Sequence, residues 1–478
     1  MAPLKPISFS QWPWHHWMDV HPDETAIRCD RQNISWQQLC SDIDGVEFDP
    51  TLSNSSLVAI LSENHYDTLV QMLAAWQQGF ATLMLNPAFS ASARCEIFER
   101  VGIEGFIDPS SDLLNDARND SLNQPAFSTC FRQPSLPSTS RATGYDPQRC
   151  LTLTLTSGSS GSPKAVTHSA DNHLASATGL FSLMPFESTD CWLLSLPLFH
   201  ISGLAIVWRW LAKGATLKVA DTSGDNLINA LNGATHASLV PTQLTRLVEA
   251  AKPTSLHSVL LGGAVIPQAL VDRAEQQGIG CWCGYGMTEM ASTITAKRAN
   301  GAFSVGATLP FRQLMLSDQD EVWVKGETLS AGYMVDRALV PLAQDWFQTK
   351  DKGSWASERN DLMIIGRLDN MFICGGENVQ PETVERLLGR FEGISQLFIV
   401  PLADTRWGYI PVALVEGDTD TEAFLTWSKT RVPAYQCPKA VFPLPSHLLS
   451  GGIKISRQAL SEWLHEQIHS LRNTSESN

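Results

Sequence analysis

The chain has 478 residues, 43% hydrophobic and 17% charged, with 34 Lys and Arg against 49 Asp and Glu for a formal charge of −15. That length exceeds what one hydrophobic core usually serves, so two or more domains are expected, and the acidic balance without long Lys/Arg clusters excludes non-specific nucleic-acid binding. No stretch reaches the roughly 18 uncharged apolar residues of a membrane span, because the nearest, "LAIVWRWLA", is broken by Arg209.

The N-terminal segment "MAPLKPISFSQWPWHHWMDV" lacks a continuous apolar region with a small-residue cleavage site, so a cytoplasmic enzyme is expected. Within it His15 and His16, between Trp14 and Trp17, read as part of a packed aromatic segment and not as a metal site. The 10 cysteines form no repeated framework, and the closest pair, Cys281 and Cys283, is C-x-C; reduced thiols are expected, with that pair on one face of a strand as core packing. No internal repeat is evident.

Up to residue 107, apolar runs such as "SLVAIL" and "FATLML" alternate with helix-like segments such as "YDTLVQMLAAWQQG", which ends at Gly79. Residues 107–150, rich in Ser, Pro, Asn and Asp, read as a long surface connection. From residue 150 the strands "CLTLTLT", "DCWLLSLP", "ATLKVA", "ATHASLVP", "SVLLGGA" and "IGCWCGYG" alternate with the helices "HLASATGLFSLM", "GLAIVWRWLAKG", "PTQLTRLVEAA" and "PQALVDRAEQQG". Strands spaced by helices in this way predict βαβ units on a parallel sheet. From "LMIIGRLDN" onward, a hairpin-like pair around Gly366 and a helix opened by Pro381 predict a separate, smaller α+β domain with its boundary near "GRLDN". The fold class is therefore α/β, with a large domain over 1–368 and a small mobile one over 369–478.

In "TSGSSGSPK", residues 156–164, Gly158 and Gly161 let backbone N–H groups turn toward an anion, the hydroxyls add donors and Lys164 adds a charge. The Walker pattern does not fit, since Pro163 precedes the lysine and Ala165 follows it, which removes the metal-binding hydroxyl and disfavours immediate helix initiation. The G-x-S-x-G elbow of serine hydrolases fails as well. The stretch instead resembles the phosphate loop of the adenylate-forming enzymes: acyl- and aryl-CoA synthetases, firefly-type luciferases and peptide-synthetase adenylation domains. Further motifs of that family follow in order: "PLFHISG", "LLGGAVIP", "GYGMTE", "TKDKG", "GRLDNMFICGGENVQP" and "GGIKISR".

The resemblance implies conversion of a carboxylate and ATP to an acyl adenylate, then transfer to CoA, with Mg²⁺ as cofactor. A carboxylate is a poor electrophile and must approach a negative phosphate, so cations are required. Carried over residue by residue, Thr156, Ser157, Gly158, Ser159, Ser160, Gly161 and Lys164 hold the β- and γ-phosphates. Gly262, Gly263 and Ala264 line the nucleotide and acyl site, Tyr285 stacks on adenine, and Gly286 and Met287 belong to the nucleotide-binding set. Thr288 donates to the α-phosphate, Glu289 holds Mg²⁺, and Asp351 and Arg367 take the ribose and nucleotide. Asp369 is the implied hinge, Gly375 and Gly376 form the CoA channel, and Lys454 bridges carboxylate and α-phosphate. Lys350 stands where the family usually has Gly, and Ile453 separates Lys454 from the Gly pair; Lys439 is a weaker rival for the catalytic role.

The implied partner is a small-molecule aryl carboxylic acid, with a homodimer left open. His200 gates the acyl pocket. Residues 200–210 and 240–246 are where a second carboxylate of the acid is expected to find its partner, and the sequence does not choose among His200, Ser202, Thr242 and Arg246.

Overall fold

The computed structural model describes residues 4–29, 32–53, 55–109, 144–156, 164–250, 252, 254–262, 266–300, 302–342, 345–356, 361–449 and 456–475. The chain divides into two compact units, the second taking residues 315–323, 348–358 and 362–478.

The first unit holds two sheets. Seven strands run in the spatial order Ala338–Pro341, Gly332–Val335, Lys164–Ser169, Cys150–Thr156, Ala81–Leu85, Leu57–Leu61, Gly105–Ile107, parallel from Cys150–Thr156 outward to Gly105–Ile107. In the nine-stranded sheet the parallel core is Thr216–Lys218, Cys191–Leu193, His236–Leu239, Ser258–Leu261 and Gly280–Met287. Doubly covered parallel strands are buried on both faces, and "CLTLTLT" shows it: Leu151, Leu153, Thr152 and Thr154 are all buried. The Thr152 hydroxyl meets this burial by pairing with His173 Nε2 at 2.8 Å.

The helices follow from local chemistry. Ala170–Phe181 starts in a reciprocal capping box between Ser169 and Asn172. Ile201–Lys213 is apolar nearly all round and is buried from Gly203 to Ala212, Arg209 included; a helix of that composition belongs inside a core. The expected helix ending near Gly79 spans Tyr66–Gln77, with Gly79 at φ 98°. The segment around His15 and His16 is a short helix, Pro13–Val20, whose rings pack on Phe9, Trp12 and Trp36. Cys281 lies in an apolar cluster and Cys283 packs against it. Most of the expected 107–150 connection, residues 110–143, lies outside the described residues.

The second unit carries its own sheet, in the order Glu377–Val379, Phe372–Cys374, Gly408–Gly417, Ile394–Asp404, with Val441–Pro443 beside Gly408–Gly417. Phe372, Val384, Leu388, Ile399 and Phe424 fill its core, against Pro381–Leu388 and Thr421–Ser428. One expectation is corrected here. The hairpin does not turn at Gly366, which lies within the strand Leu362–Arg367 paired to Phe347–Trp355; the turn is at Gly375 and Gly376, joining Phe372–Cys374 to Glu377–Val379. Both turn glycines have positive φ, 61° and 88°, the conformation a two-residue hairpin turn requires. Gly366 lies against the side-chain ends of Gln380 and Glu382, 2.5 Å from where its Cβ would stand.

Candidate active site

In the first unit the motifs gather where ligands bind in open α/β sheets, beyond the carboxyl ends of the strands. Thr156 ends one strand and Lys164 begins the next, and they face each other across the antiparallel pair. Ser157, Gly158, Ser159, Ser160 and Gly161 lie outside the described residues, as do Gly263, Ala264 and Lys454. Gly262 follows the strand Ser258–Leu261, and Tyr285, Gly286 and Met287 close Gly280–Met287. At Gly286 a Cβ would stand 2.0 Å from the Ser292 carbonyl oxygen, so the close approach of the neighbouring strand excludes any side chain.

Thr288, Glu289 and Met290 form a 3-10 turn directly after that strand. Glu289 is buried, 9% exposed, and its Oε1 accepts the Tyr333 hydroxyl at 3.0 Å. Lys164 Nζ lies 4.9 Å from the Tyr333 ring centroid, a cation–π distance. Tyr333 therefore joins the start of Lys164–Ser169 to the Thr288–Met290 turn, which no sequence motif announced. A carboxylate has two oxygens, so Glu289 Oε2 can still meet a hard cation, and an all-oxygen donor suits Mg²⁺. Under this turn sits His168, fully buried and facing the Thr288 backbone; burial pushes its pKa down to about 4. His168 packs on His173 with ring centroids 5.2 Å apart, and His173 stacks on Trp208 at 5.1 Å.

The segment leading to His200 is built by a residue outside every motif. Asn64 Nδ2 donates to the carbonyls of Leu194 and Leu196 at 3.0 and 2.9 Å, while its Oδ1 accepts from Leu198 N–H at 3.2 Å. His200 then stands at the N-cap of Ile201–Lys213, its ring 4.7 Å from that of Phe199. Gly203 lets the helix start against this segment, since a Cβ there would lie 2.1 Å from the Pro197 carbonyl oxygen.

Further along the same helix, Arg209 is 2% exposed. Its guanidinium lies 5.0 Å from the Trp192 ring centroid, its Nη1 reaches Ser238 Oγ at 3.4 Å, and Nε has no partner. Burial pushes its pKa down to about 9, and no salt bridge to it occurs among the described residues. A buried cation without an anion is costly. This arginine lies inside the 200–210 stretch where the second carboxylate is expected to find its partner, though it is not among the four residues named there.

In the second unit Asp351, 8% exposed, sits opposite Arg367 across the strand pair, with Arg367 Nη1 3.4 Å from Asp351 Oδ1. Arg367 also forks onto Asp369, Nε to Oδ1 and Nη2 to Oδ2, both at 2.8 Å; these hydrogen bonds hold the Asp369 pKa below the usual carboxylate range. Lys350 adopts φ 61°, the left-handed conformation that glycine takes most readily. Next to the 451–455 stretch, Arg457 clamps Glu385 with Nη1 to Oε1 at 2.8 Å and Nη2 to Oε2 at 2.7 Å, and donates to the Ile399 carbonyl at 3.3 Å. That bidentate pair fixes the start of the helix Arg457–Ser475.

Residues 14–335 match the AMP-binding enzyme family. The chain is similar to the 2-succinylbenzoate–CoA ligase of Escherichia coli (strain K12), 41% identical over 465 residues that cover 96% of this chain and 99% of the relative. The 2-succinylbenzoate–CoA ligase of Salmonella typhimurium (strain LT2) is 42% identical over 471 residues, covering 96% and 99%. Among solved structures, a variant of E. coli MenE with bound OSB-AMS superposes with a TM-score of 0.83 at 39% identity, covering 96% of this chain and 99% of that one. No helix among the described residues is long and apolar enough to cross a membrane.

Proposed function

The chain belongs to the AMP-binding enzyme family, and from that premise we propose that it is an AMP-forming ligase joining 2-succinylbenzoate to CoA, a step of menaquinone biosynthesis. The observation that carries this reading is the line Lys164–Tyr333–Glu289 at the strand ends, in a chain 41% identical over nearly its whole length to a 2-succinylbenzoate–CoA ligase.

In the first half-reaction a carboxylate oxygen of the acid attacks the α-phosphorus of ATP, the bond to the bridging oxygen breaks, and pyrophosphate leaves. Lys164 and the 156–161 loop hold the leaving phosphates, and the Thr288 hydroxyl donates to the α-phosphate. Magnesium, held by Glu289, supplies charge neutralisation at the phosphates. Lys454 bridges the acid's carboxylate and the α-phosphate, and Arg457 anchors the chain that carries it. Asp351 and Arg367 take the ribose, and Tyr285 stacks on adenine. In the second half-reaction the deprotonated CoA sulfur attacks the acyl carbon, and AMP leaves with the former carboxylate oxygen. Between the two, the small domain turns about Asp369, withdrawing Lys454 and bringing the Gly375–Gly376 turn to the CoA channel.

Arg209 is assigned to the second carboxylate of the acid, which supplies the anion that its buried guanidinium lacks. His200 gates the acyl pocket. A cytoplasmic location, where ATP and CoA are supplied, goes with this reading.

Incubation with ATP, Mg²⁺, CoA and 2-succinylbenzoate is expected to release AMP and pyrophosphate in equal amounts with the thioester. Release of ADP, or no product with folded protein, overturns the reading. Benzoylpropionate, which keeps the reacting aliphatic carboxylate and lacks the aromatic one that Arg209 would pair with, is expected to be turned over far less efficiently, by up to about 10⁴-fold for a site built to meet a polar group.

A further inference from the structure

At the amino ends of the same parallel strands, away from the phosphate motifs, three metal-ligating side chains meet. Asp190 directly precedes Cys191–Leu193, His236 opens His236–Leu239, and His257 directly precedes Ser258–Leu261. These three strands are neighbours and parallel, so their starts lie side by side. Asp190 Oδ1 stands 3.9 Å from His236 Nδ1 and 3.7 Å from His257 Nε2, and one ligand atom from each residue lies within 4.8 Å of the others. With bonds of about 2.0–2.1 Å, donors around a tetrahedral cation stand about 3.3–3.5 Å apart. A closure of a few tenths of an ångström on the two short sides, more on the third, brings them to that spacing.

The surroundings are those of a ligand set. His236 Nε2 is 2.8 Å from the Pro185 carbonyl oxygen, which only an N–H can satisfy, so the proton is on Nε2 and Nδ1, 3.9 Å from Asp190 Oδ1, carries the lone pair. On that side the Thr235 hydroxyl lies 2.8 Å from Nδ1 and donates instead to the Cys191 carbonyl at 3.1 Å when a cation takes Nδ1. The ring is fixed edge-on to Phe186 at 4.9 Å and against Trp192 at 5.2 Å. Asp190 is oriented by the Glu187 N–H, which donates to its Oδ2 at 2.9 Å and leaves Oδ1 for the cluster. The His257 side chain is 54% exposed and gives an ion its way in.

We propose that Asp190, His236 and His257 form a second metal site, separate from the nucleotide site, for a borderline divalent cation such as Zn²⁺, with a fourth position open to water. Two imidazoles and one carboxylate favour Zn²⁺, Co²⁺ or Cu²⁺ over Mg²⁺ and Ca²⁺, which take oxygen donors. Bound there, the ion ties three strand ends together and stabilises the first unit by mass action.

The test uses the full chain, stripped with chelator and kept in excess Mg²⁺ so that Glu289 is not the reporter. Titration with Zn²⁺, and with Co²⁺ followed by its visible absorption, is expected to give one saturable ion per chain. The His257→Ala variant, altered at an exposed side chain, is expected to keep its thermal midpoint in chelator and its Mg²⁺-dependent ligase activity. Its Zn²⁺ affinity is expected to fall at least ~10-fold, with loss of the cobalt spectrum, and Asp190→Asn is expected to weaken Zn²⁺ similarly. Absence of saturable binding to the wild-type chain, or equal affinity in wild type and His257→Ala, overturns the site.

Discussion

Tyr333 is the residue whose removal separates positioning from charge at the site. Its hydroxyl holds Glu289 Oε1 at 3.0 Å, and its ring lies under Lys164. Tyr333→Phe keeps the ring and deletes the donor, so the carboxylate loses one hydrogen bond to a charged group, worth about 1.5–3 kcal/mol. The expected outcome is a rise of at least ~10-fold in the Mg²⁺ concentration needed for half-maximal adenylation, with ATP binding in saturating Mg²⁺ little changed. An unaltered Mg²⁺ dependence counts against Glu289 as the metal ligand. Lys454 is tested by dividing the reaction. Lys454→Ala is expected to slow adenylation by on the order of 10²–10³ while CoA still takes up the acyl group from supplied acyl adenylate; equal loss in both halves refutes the role.

At the scale of elements, two contacts brace segments next to residues proposed to act in the reaction. Gly203 admits the Pro197 carbonyl to the first turn of Ile201–Lys213, and the added Cβ of Gly203→Ala meets a backbone atom that cannot swing away. An overpacking cost of about 1–3 kcal/mol is expected in urea unfolding, together with a raised KM for the acid, because His200 caps that same helix. Wild-type stability and KM in this variant would show that the helix start can move freely. Arg457 plays the matching part in the second unit. Arg457→Lys cannot form the two-pronged contact with Glu385, so adenylation kcat is expected to fall with CoA transfer retained. The sequence made the strand and helix alternation legible, because periodicity survives in a single chain. It also carried the ordered motifs. It did not carry Asn64, Tyr333 or the Glu385–Arg457 clamp, since each acts through a partner far away in sequence. The hairpin was placed around Gly366 and not at Gly375–Gly376 because a lone sequence does not say which of several glycines sits at positive φ in a turn; Gly375 and Gly376 do, while Gly366 lies within a strand.

For the whole molecule, the two units have separate cores, and the first buries titratable histidines. His168 and His173 are fully buried in the first unit, and desolvation places the His168 pKa at about 4 and pushes His173 well below its ordinary value. An unfolded histidine titrates near pH ~6.5. Between that value and the depressed folded one the unfolded chain binds more protons, so stability rises with pH. Stability contributed by these neutral imidazoles is thus complete above about pH 6.5 and is lost as pH falls toward 4, at up to about 1.4 kcal/mol per pH unit for each ring. Urea unfolding at pH 7.5, 6 and 5, followed by the near-ultraviolet signal of the Trp76–Trp208 stack, is expected to show the first unit weakening steeply. The His168→Leu variant removes one titrating ring from that slope, and the slope is expected to flatten by up to one proton's worth. Because the buried His168 lies beneath the Thr288 backbone, loss of this packing on protonation is expected to lower adenylation before the unit unfolds. A pH profile of adenylation that declines as the pH approaches about 4 in wild type but not in His168→Leu supports this coupling, whereas identical profiles assign the acid limit to groups elsewhere.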